Sequence, residues 1–284
     1  MDLTRSEPIE QIAADAPKLT AIVIVRDEEH CLARCLESVA PIADELVVLD
    51  SGSTDKTVAI ARSFGARVEV TDWPGYGPQK NRALALARGE WILSIDADER
   101  VTLELAAEIQ TVVRSPTSEL KGYLIPFLAT WCGRPVRFGD WAHTRHLRLF
   151  RRGSASFSQD LVHERIICPG PHDVLAGLIV HDTVATEAEA RKKSWRYAEL
   201  SAQRLREHGR GGLLLALTHS AWTFVRGYLL KRGFCDGLTG WKVACACTRG
   251  TWLRYLLARG HRRSRHGCSR AVAAVLGVFA LFLT

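Results

Sequence analysis

Over the first hundred residues, short apolar runs alternate with segments of helical periodicity. Leu19–Val25 (LTAIVIV), Glu45–Leu49 (ELVVL), Ala66–Val70 (ARVEV) and the run from Trp91 to Ile95 are rich in β-branched residues and too short for stable helices, so they predict strands. Between them, Asp27–Val39 places Leu32, Leu36 and Val39 on one side of a helix. A second helix runs from a Ser53, Thr54 or Asp55 cap to about Phe64, where Gly65 ends it, and a third covers Gln79–Arg88. This order predicts an α/β fold with an open, mostly parallel central sheet flanked by helices, binding its ligands beyond the carboxyl ends of the strands.

Further along, Leu103–Val113 predicts a helix, Gly122–Leu128 a strand, Trp131–Asp140 a loop with aromatic and basic residues, and the alternation in His146–Arg151 another strand. From Glu187 the pattern becomes helical and basic. Glu187–His208 and Leu213–Leu230 carry apolar faces (Trp195 and Leu205; Leu214, Leu217, Trp222, Val225 and Leu229) that are expected to pack on the core. The implied organisation is an arm over 1–18, an α/β domain over 19–184, a basic helical extension over 185–260 and a tail over 261–284.

Charge sharpens this division. Residues 1–184 carry 20 basic and 26 acidic side chains, whereas 185–284 carry 18 basic and 5 acidic. A basic half suits nucleic acid, anionic headgroups or a phosphorylated substrate. No nucleic-acid reader motif accompanies it, and its aromatics fall at helix-core spacing, so nucleic acid is not an expected partner. The eight cysteines are scattered rather than set as a disulfide framework, and Cys245-Ala-Cys247 lacks the second half of a zinc site, so a reducing, cytoplasmic setting is expected. Met1–Lys18 has no apolar core and reads as no signal peptide. No run approaches the roughly 20 apolar residues of a membrane span. The tail Ala271–Thr284, behind the basic run His261–His266, suits either an anionic membrane surface or docking on the protein.

The chemistry gathers on one predicted rim. Beyond the strand at Trp91, Asp96 and Asp98 stand two apart. If the segment is extended, their carboxylates leave on the same face, where a hard cation with oxygen ligands suits them; alternatively one caps the helix near Thr102. Arg26 and Asp27 follow the first strand, and Asp50 and Ser51 follow the second. Neither G-x-G-x-x-G nor a G-x-x-x-x-G-K-[ST] loop is present, which argues against a dinucleotide fold or a P-loop. Asp50 is placed to accept from a base N–H, and Lys80 and Arg82, early in a helix, to face a diphosphate.

Leu49-Asp50-Ser-Gly-Ser-Thr-Asp-Lys-Thr57, Gln79-Lys80-Asn81 and Leu93-Ser-Ile-Asp-Ala-Asp-Glu99 together resemble the inverting family 2 glycosyltransferases of GT-A fold. The resemblance implies a nucleotide-sugar donor site that takes in Arg26, Asp27, Asp50, Ser51, Lys80, Asp96 and Ala97. Asp50 would lie near uracil, Asp96 near the ribose or sugar, and Asp98 on a Mg²⁺ or Mn²⁺ that bridges the diphosphate. In Val25-Arg26-Asp27-Glu28-Glu29 the family commonly has Asn before the two acids, so the contact of Arg26 and Asp27 with the base departs from the pattern. Val162-His163-Glu164 also matches a recurring segment. Inverting transfer needs a base on the acceptor hydroxyl, for which Glu164 is the first choice and Asp160 the second. His163 or His181 is a candidate to complete the metal shell with Asp96 and Asp98. Leu229–Gly240 and Trp252-Leu-Arg-Tyr255 are similar to the tail of the lipopolysaccharide inner-core β-1,4-glucosyltransferases. That resemblance implies UDP-glucose as donor, an inner-core heptose of a lipid-anchored glycan as acceptor, and a peripheral position at the cytoplasmic face of the inner membrane.

Overall fold

The computed structural model describes residues 17–114, 119–159 and 164–259. The chain divides into two compact units: residues up to Leu128 with His143–Asp182, and Ala129–Ala142 with the residues from Thr183 onward. Sequence reading groups 129–142 with the α/β part, but Trp131 and Val136 bury against Val184, Ala190 and Val243.

In the first unit, β1 (Leu19–Val25), β2 (Glu45–Asp50), β3 (Arg67–Val70) and β4 (Trp91–Ser94) run parallel in the order β3-β2-β1-β4. Helices α1 (Leu32–Val39), α2 (Thr57–Ser63) and α3 (Tyr76–Leu86) connect them. Alternate residues of β1 serve opposite faces of the sheet. Ala21, Val23 and Val25 join Leu32 and Leu36 of α1 in one core, while Ile22 joins Ala83 of α3 in another. With both faces covered, the strands read as continuous apolar runs.

Next come β5 (Glu99–Val101), α4 (Leu103–Arg114), β6 (Gly122–Trp131) and β7 (Arg134–Pro135), which turns back on β6. β8 (Arg145–Arg151) lies antiparallel between β4 and β6. β9 (Ser156–Phe157) and β10 (Ile166–Ile167) pair with each other, β11 (His172–Val174) joins β6, and β12 (Ile179–Val184) runs antiparallel to β5. This return of β12 onto β5 brings His181 back to the acidic turn after β4.

Three local expectations are corrected. The first helix starts at Leu32 instead of Asp27, because Asp27 takes a positive φ of 54° and donates its N–H to Ser53 Oγ at 2.8 Å. The segment Asp96–Asp98 is a turn and not extended. Asp96 O accepts the Glu99 N–H at 3.0 Å, so the two aspartates do not share a strand face. Neither caps α4, where Thr102 Oγ1 accepts the Leu105 N–H at 3.3 Å.

The second unit contains α5 (Glu187–Glu207), α6 (Leu213–Phe224), a π-helical turn Val225–Leu230 and α7 (Gly237–Ala258). Side-chain caps start α5: Thr186 Oγ1 accepts the Glu189 N–H, and the Glu189 carboxylate accepts the Ala185 N–H just before it. The apolar face expected to bury α6 does not. Ala216, Ser220 and Thr223 face inward, leaving Leu214 74% and Leu229 51% exposed, with Leu217, Trp222 and Val225 also open to solvent. Small residues one turn apart allow close helix approach, and the large side chains are turned out.

Candidate active site

The carboxyl ends of β1 and β2 are stitched together by side-chain-to-backbone hydrogen bonds. Asp50, almost fully buried, accepts the N–H groups of Gly52 and Ser53, both at 2.9 Å, and the Ser53 hydroxyl. Gly52 takes a φ of +83°, which closes the turn at no side-chain cost. Asp27 accepts the Thr54 N–H at 2.7 Å, Glu28 donates its N–H to Thr57 Oγ1, and Asp55 accepts the Thr57 N–H that opens α2. Asp50 therefore shapes the turn, with one acceptor direction left over. Arg26 is exposed beside it.

α3 carries the side chains that reach across the rim. Its first turn tolerates Pro78, where no intrahelical N–H is needed, and aims Gln79, Lys80 and Asn81 inward or along the sheet. Gln79, fully buried, donates to Ser51 Oγ and Thr71 Oγ1, both at 3.0 Å, tying α3 to the ends of β2 and β3. Asn81 makes a two-way pair with the Phe157 backbone, at 2.8 and 2.9 Å, which fixes β9. Between them, buried Lys80 places its ammonium 2.9 Å from Asp96 Oδ1 and 2.8 Å from Glu164 Oε1. Arg82 is spent on Asp72 at the surface.

Asp96 is thus shared between two cations, because Arg148 on β8 reaches its other oxygen at 2.9 Å and also grips Glu99. Burial pushes the Asp96 carboxyl up, but Lys80 and Arg148 outweigh it and hold the group well below the usual carboxylate range. Glu99 is pushed up to about 7 by burial against the pull of Arg148. Three carboxylates, on Asp96, Glu99 and Glu164, therefore share two cations.

Asp98 faces the other way. Its Oδ2 lies 3.2 Å from His181 Nε2, and both side chains are about one-third open, at 33% and 32%. Its backbone carbonyl accepts the Asp182 N–H at 2.9 Å, which locks β12 to the turn. An oxygen and an imidazole nitrogen at this spacing, facing solvent on a rim with surplus negative charge, form a donor set that fits Mg²⁺ or Mn²⁺. Asp96 fits such an ion less well, since each of its oxygens already meets a cation. Elsewhere on the rim, Glu28, His30 and Cys31 also bring ligand atoms together. There, burial and Glu28 push the Cys31 thiol far up, and it donates to Glu28 at 3.2 Å.

Of the residues expected from sequence, Asp50, Ser51, Lys80, Asp96, Ala97, Asp98, Glu164 and His181 lie in the first unit with Arg26 and Asp27. Asp160 and His163 fall outside the described residues. Sequence reasoning passed over Gln79, Asn81, Glu99 and Arg148. For Arg148 there was a signal, a charge inside the apolar strand pattern His146-Leu-Arg-Leu-Phe150, which demands a buried partner.

Comparison with known proteins gives a consistent result. Residues 20–116 match the family model "Glycosyl transferase family 2". An uncharacterised glycosyltransferase of Rickettsia typhi is 30% identical over 235 residues, 78% of this chain and 80% of that protein. The lipopolysaccharide core biosynthesis glycosyltransferase LpsC of Rhizobium meliloti is 32% identical over 202 residues, 68% of this chain and 73% of its own. Glucosyl-3-phosphoglycerate synthase of Mycobacterium tuberculosis, solved with Mn²⁺, UDP and glucosyl-3-phosphoglycerate, aligns over 43% of this chain and 47% of its own at 25% identity. The TM-score of that alignment is 0.32.

Proposed function

Because this chain belongs to the family 2 glycosyltransferases, we propose that it transfers a hexose, glucose from UDP-glucose, to an inner-core heptose of a lipid-anchored lipopolysaccharide, inverting the anomeric centre. The observation that carries the reading is Lys80, which joins Asp96 on the donor rim to Glu164, the base candidate, through two contacts under 3 Å. Inversion requires the acceptor hydroxyl to attack opposite the departing diphosphate and lose its proton there. Glu164 takes that proton. An ammonium held between two carboxylates can exchange one of them for a diphosphate oxygen, so donor binding draws Lys80 from Glu164 and leaves its oxygen free for the hydroxyl.

Asp98 and His181 would hold the divalent cation, with Asp96 alongside; bound there, a Mg²⁺ or Mn²⁺ offsets charge on the leaving diphosphate. The turn closed by Asp50 keeps Ser51 and the remaining Asp50 acceptor direction toward the nucleotide base, next to Arg26 and Asp27. Ala97 leaves room between the two aspartates.

The lipopolysaccharide acceptor is supported by the likeness to LpsC. A peripheral membrane position, at the cytoplasmic face of the inner membrane, is supported by the second unit. No helix among the described residues is long and apolar enough to cross a membrane. Yet Leu213, Leu214, Leu217, Leu229, Leu230 and Leu238 are exposed on a stretch that also bears Lys231 and Arg232. Apolar side chains beside cations suit an anionic lipid surface. The test is mass analysis of lipopolysaccharide from a strain lacking the gene. Loss of one inner-core hexose with everything beyond it is expected; an unchanged core would redirect the reading to another glycan or a polyprenyl phosphate acceptor.

A further inference from the structure

The second unit carries an open cavity of about 600 Å³, lined by none of the residues assigned to the transfer chemistry. Three features of its wall define what it can hold. Flat aromatic surfaces come from Trp131, Trp141, Tyr197 and Trp222, and Tyr197 and Trp222 are 53% and 54% exposed. Small polar residues, Ser194 and Ser201 among them, line the gaps between the rings. Among the described residues no Leu, Ile or Met lines the cavity, so its wall differs from one built for an acyl chain.

The polar atoms of the wall are unevenly satisfied. Among the described residues, Trp131 Nε1 and Arg254 Nε are buried donors with no hydrogen-bond partner. Native proteins rarely leave such groups unpaired, and both need an acceptor rather than a donor. Positive charge is also in excess. Asp140, the one acid of the lining among the described residues, is committed to Arg226 at 2.8 Å and to Lys231 at 3.0 Å. Lys193 is answered by Glu189 at 2.9 Å. Arg254 has no carboxylate within ion-pair distance among the described residues; its cation lies 5.3 Å from the Tyr255 ring centre.

Aromatic platforms suit the C–H faces of pyranose rings, hydroxyl-bearing gaps suit sugar hydroxyls, and unpaired cationic donors suit an acid group. We propose that this cavity, built by the second unit, is a second saccharide site that binds a sugar bearing a carboxylate or a phosphate, with the Arg254 guanidinium holding the anion. The site stands on the second unit alone and does not depend on which sugar is transferred.

Calorimetry on the full chain tests it with four probes: glucuronate, glucose 6-phosphate, glucose and inorganic phosphate. Either or both anionic sugars should bind at least about tenfold more tightly than glucose and than phosphate, as expected when a charge-assisted hydrogen bond and ring stacking act together. The arm that binds tells carboxylate from phosphate. Arg254→Met, and separately Trp222→Ala at the exposed rim, should each weaken that binding by about tenfold, while hydrolysis of UDP-glucose is unchanged. Trp222→Ala removes an exposed ring and keeps the test open if the Arg254 variant does not fold. Equal binding of glucose and its charged counterparts, unchanged affinity in both variants, or no binding of any probe at millimolar concentration would overturn the proposal and leave the cavity to water.

Discussion

The two ends of the parallel strands both bury carboxylates, yet they balance them differently. At the amino end, Glu45 is surrounded by donors that close on it. Thr20 Oγ1 donates at 2.6 Å, the Arg88 N–H at 2.8 Å and Arg88 Nε at 2.7 Å. Gly89 completes the knot by donating to Thr20 at 2.8 Å, and a Cβ there would lie 2.6 Å from Thr20 N. At the carboxyl end, Asp96, Glu99 and Glu164 share Lys80 and Arg148, and among the described residues the Asp98 carboxylate pairs with His181. A saturated acid holds the fold together. An acid cluster short of cations is arranged for a positive or proton-bearing ligand that arrives later.

The largest effect that should separate the two ends is on chemistry. Glu164→Gln is expected to lower turnover by about 10²–10⁴-fold while UDP-glucose binding measured by calorimetry stays nearly intact, since only proton removal loses its partner. Weak donor binding with near-normal turnover at saturation would move Glu164 to the donor site and promote Asp160.

Glu45→Gln should do the reverse. Turnover is expected to hold, while stability falls by about 1–3 kcal/mol because a buried, hydrogen-bonded charge is lost. The effect should depend on pH. Burial raises the Glu45 carboxyl, but its bonds to Thr20 and Arg88 outweigh that and lower it. A carboxyl depressed in the folded state stabilises the protein above its unfolded value, and that stability is lost as pH falls through the folded value. Denaturant titrations of wild type should therefore lose stability on acidification below the ordinary carboxylate range, and the variant should lack that component. An unchanged acid limb would mean that Glu45 contributes nothing through its charge.

The smallest effect concerns the exposed face of α6 and of the π-helical turn that follows it. Leu214, Leu217 and Leu229 changed together to Ser should weaken sedimentation with anionic vesicles by about tenfold, from lost apolar burial, without altering hydrolysis of free UDP-glucose. Equal partitioning would remove this face from the membrane reading.

Strand and helix order in the first unit was legible because burial on both faces leaves apolar runs whose length and β-branched content are diagnostic. So was the acidic rim, since strand carboxyl ends share one edge of a parallel sheet. What stayed hidden depends on long-range return of the chain. β8 inserts between β4 and β6 and delivers Arg148 to Asp96, 52 residues away in sequence. Without that insertion Asp96 and Asp98 look equivalent, and nothing local tells the one held by cations from the one facing His181. The outward turn of Leu214 and Leu229 was misread for a related reason. Periodicity identifies an apolar face of a helix but not whether protein covers it, and here Ala216, Ser220 and Thr223 form the buried side.

The imbalance at the carboxyl end is tested most directly by Mn²⁺ titration in the presence of UDP, followed by the paramagnetic resonance signal of the free ion. Wild type and Glu45→Gln should bind with equal affinity, and Asp98→Asn should bind about a hundredfold more weakly or worse, since even outer-sphere changes cost tenfold to a hundredfold. Equal Mn²⁺ affinity in wild type and Asp98→Asn would contradict the account and reduce Asp98 to a brace between the acidic turn and β12.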